Sequence, residues 1–162
     1  MAKEGSKMYQ KILVPLDGSE LSECSLEHVR AIATGCQVPE VVLLRAVEPA
    51  STQAIAAYAD AGIDVAKVEG QAQLDASNYL SQSAGKLKKE GVAAQTALVR
   101  GKPADVIVDY AKKNGVDLII MSTHGRSGIS RWVLGSVADR VVRSSAIPVL
   151  IITPRGCRID VA

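Results

Sequence analysis

Five short apolar runs that alternate with helical patterns constrain the fold of this chain more than any other feature. The runs cover residues 11–16, 41–47, 94–99, 116–121 and 148–153. Four of them are almost continuously apolar, which is typical of strands buried on both faces of a parallel sheet. The run at 94–99 is more polar, which favours a place nearer an edge. Turn residues follow the runs, and segments with apolar residues at helical spacing fill most of the intervals.

This order predicts an α/β fold, a single doubly wound five-stranded parallel sheet with helices on both faces. A length of 162 residues fits one domain with a substantial core. We expect that domain at 9–154, after a polar N-terminal lead-in at 1–8 and before a C-terminal tail at 155–162. The Ala-rich interval 51–64 has no clear period. We expect a long, mobile connection there, either a functional lid or a variable surface loop.

Composition argues against several classes of partner. The net charge is only +2, and the aromatic residues are four Tyr and one Trp, so we expect no nucleic-acid or anionic-membrane partner. No apolar run approaches the roughly 20 residues of a membrane span, and the N-terminus lacks the apolar core of a signal peptide. The cysteines (Cys24, Cys36 and Cys157) are odd in number and lack zinc-ligand spacing. A disulfide framework is therefore disfavoured, and the expected compartment is the reducing cytoplasm.

A ligand site is expected beyond the carboxyl ends of the strands. Parallel sheets of this type bind ligands there, at the point where strand order reverses. Asp17, Ala46 and Ser122 all stand at or near predicted strand ends. The stretch 119–137 runs from a strand into a glycine-containing loop that ends at Gly135-Ser136, and a helical pattern follows. Glycines beside a helix start suit an anion, and phosphate is the usual one.

The residues alone leave alternatives open. The loop is neither a Walker A motif, which needs a Gly-Lys-Ser/Thr sequence, nor a dinucleotide fingerprint. A carboxylate such as Asp17 also stabilises a following helix start. Ser19 suits an N-cap better than a ligand contact, and Ser136 suits either role. His124 has no partner carboxylate or nucleophile in view, so a hydrogen-bonding role is favoured over general-base chemistry.

One stretch carries a specific resemblance. Residues 121–125, then nine residues, then Gly135-Ser136 resemble the nucleotide motif of the universal stress protein family. The family's pattern is Gly, two residues, Gly, nine residues, Gly, and then Ser or Thr. Segments at 12–19, 43–47, 101–104 and 147–152 also resemble that family, so the resemblance covers about residues 8–153. Ser122 stands where the pattern has its first glycine. If that position needs a positive φ, serine costs about 1 kcal/mol there.

The resemblance implies an adenine-nucleotide alpha-hydrolase-like fold and a homodimer that pairs through the final strand, 148–153. It implies that ATP or another adenine nucleotide binds, with Mg²⁺ or Mn²⁺ on the phosphates, and that the protein has a regulatory or stress-response role. The residues that it assigns to ATP binding are Pro15, Leu16, Asp17, Ala46, Met121, Ser122, His124, Gly125, Arg126, Ser127, Gly128, Gly135, Ser136 and Val137. By the same resemblance Asp17 contacts ribose or a phosphate-linked metal ion, and Ala46 offers its backbone to adenine.

Three other functions remain as alternatives. The first is a slow Mg²⁺-dependent ATP hydrolase, although no water-positioning group is identifiable and no catalytic residue is assigned. At most a weak ATPase activity is expected. The second is a nucleotide-free dimerisation module, against which the intact Gly125, Gly135 and Ser136 argue. The third is a flavin or other dinucleotide binder on a related fold, for which nothing in the sequence recognises a flavin ring.

Overall fold

The computed structural model describes residues 8–123 and 134–153, and these form five strands and six helices. The strands are β1 (Lys11–Pro15), β2 (Glu40–Val47), β3 (Ala94–Arg100), β4 (Leu118–Ser122) and β5 (Val149–Ile152). The helices are α1 (Glu20–Glu23), α2 (Ser25–Gly35), α3 (Thr52–Asp60), α4 (Val65–Lys89), α5 (Pro103–Lys113) and α6 (Ser136–Ser144).

The strands form one parallel sheet in the order β3-β2-β1-β4-β5. This arrangement confirms the predicted doubly wound α/β fold. The more polar β3 lies at an edge, as its sequence predicted. The order reverses between β1 and β4, because β2 and β3 follow on one side of β1 while β4 and β5 lie on the other. The carboxyl ends of β1 and β4 therefore meet at the switch point of the sheet.

Helices cover both faces of the sheet, as predicted. On one face Val29 of α2 and Leu80 of α4 belong to the same core as Leu43 of β2. On the other face Ile107 of α5 and Val141 of α6 pack in a second core. The central strands face both cores, so their residues are apolar without alternation.

The first predicted helix is divided in two. Ser19 caps it as predicted, because its Oγ accepts a hydrogen bond from the Ser22 N–H at 3.1 Å. However, α1 ends after one turn, and Cys24 stands between it and α2. Cys24 is in a disulfide, contrary to the expectation of reduced cysteines, whereas Cys36 is a free thiol.

The prediction of a long connection at 51–64 is wrong, because most of this interval is helix α3. The Ser51 Oγ caps α3 by accepting from the Ala54 N–H at 3.2 Å. Asp64 then caps α4 by accepting from the Ala66 N–H at 3.0 Å. No residue of α3 is fully buried. Only Ala54 and Tyr58 of this helix are partly buried, so it needs no broad apolar stripe, and the helix-favouring alanines were its main sequence signal.

Candidate functional site

A cleft of about 500 Å³ opens at the carboxyl ends of β1, β2 and β4. Its volume lies within the roughly 300–1,000 Å³ that is usual for small-molecule sites. The turn after β1, the end of β2, the start of α5, the end of β4 and the start of α6 all contribute to its wall, and α4 adds Ala72. The cleft therefore lies at the switch point, where a doubly wound sheet is expected to bind its ligand.

Asp17 lies in the turn after β1 and lines the cleft. Its Oδ1 accepts hydrogen bonds from the Ser19 N–H at 2.9 Å and from the Ser19 hydroxyl at 2.5 Å. Since Ser19 also caps α1, the carboxylate is tied to the start of that helix. The structural role expected of a strand-end carboxylate is thus present. The Asp17 side chain is still exposed, so this role and contact with a ligand are compatible.

Residues 46–48, at the end of β2, line the cleft. Two hydrogen bonds attach this segment to neighbouring parts of the chain. The Val47 carbonyl accepts from the Gly101 N–H at 3.0 Å, and the Ala50 N–H donates to Glu69 Oε1 at 3.0 Å. The segment is therefore attached both to the residue after β3 and to α4.

Arg45 adds a cation to the cleft wall. Its Cζ lies 5.3 Å from the ring centroid of Tyr79 on α4, within the usual range of a cation–π contact. The Tyr79 hydroxyl is buried and makes no hydrogen bond of good geometry with the residues that the structure describes, although the Ser22 and Ser83 hydroxyls and the Glu23 carboxylate lie near enough to affect its pKa. Desolvation by burial raises the pKa of Tyr79 above its ordinary value of 10.0.

The start of α6 forms the part of the wall best suited to an anion. Gly135 is the N-cap and has no side chain to satisfy the first N–H groups of the helix, which lack partners inside it. The Gly135 N–H donates to the Thr123 carbonyl at 2.9 Å, which fixes the helix start to the end of β4. Residues 136–138 line the cleft. Ser136 is the first helical residue rather than the N-cap that its sequence position allows. The positive end of the helix dipole here favours phosphate.

Nine of the residues predicted from the sequence line this one cleft. They are Pro15, Leu16, Asp17, Ala46, Met121, Ser122, Gly135, Ser136 and Val137. The other predicted residues, His124, Gly125, Arg126, Ser127 and Gly128, lie outside the described residues. That any of these residues contacts a nucleotide stays a prediction.

The serine in place of the first motif glycine causes no backbone conflict. Ser122 is the last residue of β4. Gln37 is the only non-glycine residue with a positive φ in the described part of the chain, so the φ of Ser122 is not positive. Glycine's conformational freedom is not needed at this position, and the cost considered for serine does not arise.

Sequence reasoning missed several lining residues, among them Arg45, Glu48, Ala72 and Thr123. Arg45 carried a signal, since it is the only charged residue in the apolar run 41–47. Ala72 carried none. It reaches the cleft only because α4 extends past the ends of β2 and β3, which is a property of the packed structure.

Within residues 8–123 and 134–153, no group of three or more His, Cys, Asp or Glu side chains could hold a metal ion. The same part of the chain contains no helix long and apolar enough to cross a membrane.

Comparison with known proteins agrees with this architecture. The sequence model of the universal stress protein family matches residues 8–153. Universal stress protein MJ0531 of Methanocaldococcus jannaschii is 33% identical over 152 residues, which are 93% of this chain and 85% of that protein. Universal stress protein MJ0577 of the same organism is 32% identical over 157 residues, which are 91% of this chain and 96% of that protein.

Solved structures of this family have the same fold as this chain. The structure of MJ0577 superposes with a TM-score of 0.73 at 31% identity, covering 90% of this chain and 96% of that one. A universal stress protein in complex with cAMP superposes with a TM-score of 0.64 at 26% identity, covering 90% of this chain and 97% of that one. The match spans nearly the whole domain in sequence and in structure, and the chain belongs to the universal stress protein family.

Proposed function

We propose that this protein binds ATP or another adenine nucleotide in the cleft and acts as a nucleotide-dependent regulatory protein in a stress response. The observation that carries the proposal is the meeting of the turn after β1, the end of β2 and the start of α6 around one cleft at the switch point. An uncapped helix start suits phosphate, and backbone at the end of a neighbouring strand suits a base.

In this proposal the phosphates, the base and the ribose of the nucleotide each contact a different part of the cleft wall. The N–H groups of residues 136–138 and the Ser136 hydroxyl hold phosphate oxygens. The Ala46 backbone contacts adenine, and Pro15 lines the base pocket. Asp17 contacts ribose or a Mg²⁺ or Mn²⁺ ion carried by the phosphates. The solved relative in complex with cAMP, itself an adenine nucleotide, supports the choice of base.

We also propose that the functional unit is a homodimer. Strand β5 lies at an edge of the sheet, and Val149, Leu150 and Ile151 are only partly buried. An apolar edge strand invites pairing with a second strand, and a two-fold axis would let β5 pair with its own copy. The domain proposed for each subunit is 9–154, with 1–8 as a lead-in and 155–162 as a tail.

The nucleotide proposal is tested on purified protein without added ligand. The protein is denatured, and any released small molecule is identified by chromatography and mass spectrometry. The same preparation is titrated with ATP and Mg²⁺ by calorimetry. We expect an adenine nucleotide in the released fraction or a saturable ATP isotherm. The phosphorylation state of the released nucleotide also bears on hydrolysis.

Two valine variants make this test specific. Gly135→Val adds bulk at the cleft wall, and the Gly135 φ of −55° accepts valine without backbone strain. Gly35→Val is the matched control, because a Cβ at Gly35 meets no atom within 4 Å. We expect ATP affinity to fall at least about tenfold in the first variant and to stay unchanged in the second. A flat titration of a parent protein that also releases no nucleotide on denaturation would reject nucleotide binding and favour a dimerisation module.

A further inference from the structure

Glu69 of α4 connects three parts of the chain near the cleft. Its Oε1 accepts from the Ala50 N–H at 3.0 Å and from Arg100 Nη2 at 3.1 Å. Its Oε2 accepts from the same Arg100 nitrogen at 2.9 Å. One carboxylate thus joins α4 to the last residue of β3 and to the segment that follows β2. The Glu69 side chain is 23% exposed, so these bonds are partly shielded from water.

The segment held by Glu69 is itself part of the cleft wall. Residues 46–48 line the cleft, and Ala50 follows two residues later. The Gly101 N–H holds the Val47 carbonyl at 3.0 Å, next to Arg100. The chain from Val47 to Ala50 is therefore fixed at both ends, once by the residue after β3 and once by Glu69.

The position of residues 46–48 in the cleft determines which part of a ligand they contact. The α6 start follows β4, whereas residues 46–48 end β2, and β1 lies between these strands. Neighbouring strands are about 4.8 Å apart, so the two walls are separated by roughly 10 Å. A nucleotide with its phosphates at α6 therefore presents its nucleoside part to residues 46–48.

The part of α4 that carries Glu69 has no fully buried residue before Ala76. The buried residues of this helix, Ala76, Leu80, Ser83 and Leu87, all follow Glu69. Val68 is 37% exposed and Leu74 is 54% exposed. The bonds of Glu69 therefore attach a weakly buried part of the helix to the segment after β2 and to Arg100. Ala72, one turn further on, lines the cleft.

We propose that Glu69, oriented by Arg100, is a positioning residue that fixes the nucleoside-recognising wall of the cleft. The inference rests on the proposed nucleotide binding and adds how that site recognises one end of its ligand. Glu69 does not touch the ligand in this arrangement. It acts through the backbone of residues 46–50, so its loss weakens recognition of the nucleoside and leaves the phosphate wall at α6 intact.

The test compares ATP with inorganic tripolyphosphate, which has the phosphates but no nucleoside. ATP is titrated by calorimetry, and tripolyphosphate is measured by its competition with ATP. The ratio of the two dissociation constants reports the contribution of the nucleoside. In Glu69→Ala we expect this ratio to shrink about tenfold, the usual effect of losing hydrogen bonds to a charged group. The affinity for tripolyphosphate should stay within about twofold of the parent value.

Three further variants make the result specific. Glu69→Gln keeps an oxygen that can accept from the Ala50 N–H, so we expect a smaller loss. Glu40→Gln is the matched control, because Glu40 also forms a 2.9 Å ion pair, with Lys11, but at the opposite end of β2. It should leave both affinities unchanged. Ser136→Ala should weaken ATP and tripolyphosphate together, since it alters the phosphate wall.

Hydrogen exchange provides a second readout that needs no ligand. The Ala50 amide should be protected in the parent protein and in Glu40→Gln, and should lose protection in Glu69→Ala. Equal changes in both affinities of Glu69→Ala, or no change in either, would overturn the positioning role even if ATP binds. A parent protein that binds no ATP would instead overturn the proposed function, and this inference with it.

Discussion

The guanidinium of Arg45 lies over the ring of Tyr79, with Cζ 5.3 Å from the ring centroid, and it also fills the space beside Gly18. A Cβ added at Gly18 would lie 2.7 Å from Arg45 Nη1. One side chain thus packs the end of β2 against both α4 and the turn after β1. This contact connects the cleft wall that carries Asp17 to the helix that carries Glu69.

Alanine at Gly18 should destabilise the protein more than alanine at an ordinary turn glycine. Gly18 has a φ of +85°, which costs an L-residue about 1 kcal/mol, and the new Cβ must also displace Arg45. Gly62→Ala is the control, because Gly62 has a φ of +67° but open space around its Cβ. Urea denaturation should show a cost of about 1 kcal/mol for Gly62→Ala and up to about 2 kcal/mol for Gly18→Ala. Equal costs would mean that displacing Arg45 has no energetic consequence.

Tyr79→Phe should leave the protein as stable at pH 7 or stabilise it by up to about 1 kcal/mol. The substitution removes a buried hydroxyl that makes no hydrogen bond of good geometry with the described residues and keeps the ring under Arg45. Thermal unfolding of the two proteins side by side gives the sign. A loss of stability above about 1 kcal/mol in Tyr79→Phe would show that the Tyr79 hydroxyl makes a favourable hydrogen bond.

The raised pKa of Tyr79 should make the protein less stable at high pH. Below the unfolded-state pKa of about 10, the side chain is neutral in both states and stability is unaffected. Above it the unfolded chain loses this proton more readily than the folded protein, so unfolding becomes easier as pH rises. In the phenolate absorbance titration, the parent protein should show a component at high pH that is missing in Tyr79→Phe. Titration curves of the same shape for the parent protein and Tyr79→Phe would contradict the prediction.

Helix α3 should open locally without global unfolding, because it buries no side chain completely. Its amides should exchange far faster than those of β1. Ser51→Ala removes the bond to the Ala54 N–H and should speed exchange in residues 52–60 about fivefold. Ser81→Ala, at an exposed position within α4, should leave this exchange unchanged. Exchange as slow in α3 as in β1 would show that the helix has a partner that holds it closed.

Dimerisation through β5 should depend on a specific backbone N–H. The carbonyls of Pro148 and Ile152 accept from Ile119 and Thr123, so the even-numbered residues of β5 face β4. The backbone groups of Val149 and Ile151 therefore point away from the sheet. Val149→Pro removes an outward donor without breaking the internal ladder. Sedimentation should give a dimer for the parent protein and Val149→Ala, and a monomer for Val149→Pro. A monomeric parent at micromolar concentration would reject the dimer.

Substitutions should separate the structural role of Asp17 at the start of α1 from its proposed role in ligand binding. Asp17→Asn keeps an oxygen that can accept from the Ser19 N–H, so stability should change little. Its lost charge should weaken Mg²⁺–ATP binding about tenfold in calorimetry. Ser19→Ala should do the reverse, costing about 1 kcal/mol of stability through the lost cap, with a smaller effect on binding. Unchanged binding by Asp17→Asn would leave Asp17 with a structural role alone.

The sequence by itself determined the fold class, because buried strands and amphipathic helices have local patterns. The apolar run at 11–16 and the turn at Asp17 reveal a strand end without reference to any other part of the chain. The polar character of 94–99 was enough to assign β3 to an edge, which the strand order confirms. The spacing from Gly125 to Gly135-Ser136 likewise drew attention to α6, whose uncapped start lines the cleft.

Only the tertiary structure decided the features that depend on contacts between distant segments. The helix at 52–60 buries no side chain completely, so no clear periodicity in the sequence distinguished it from a loop. The Glu69–Arg100 pair joins residues 31 positions apart, and the Arg45–Tyr79 contact joins α4 to β2. The sequence does not show which residues pair, because even Arg45, conspicuous as a charge within an apolar run, gives no indication that its partner is Tyr79. Packing α4 across the ends of β2 and β3 brings them together, and so determines the shape of the cleft wall.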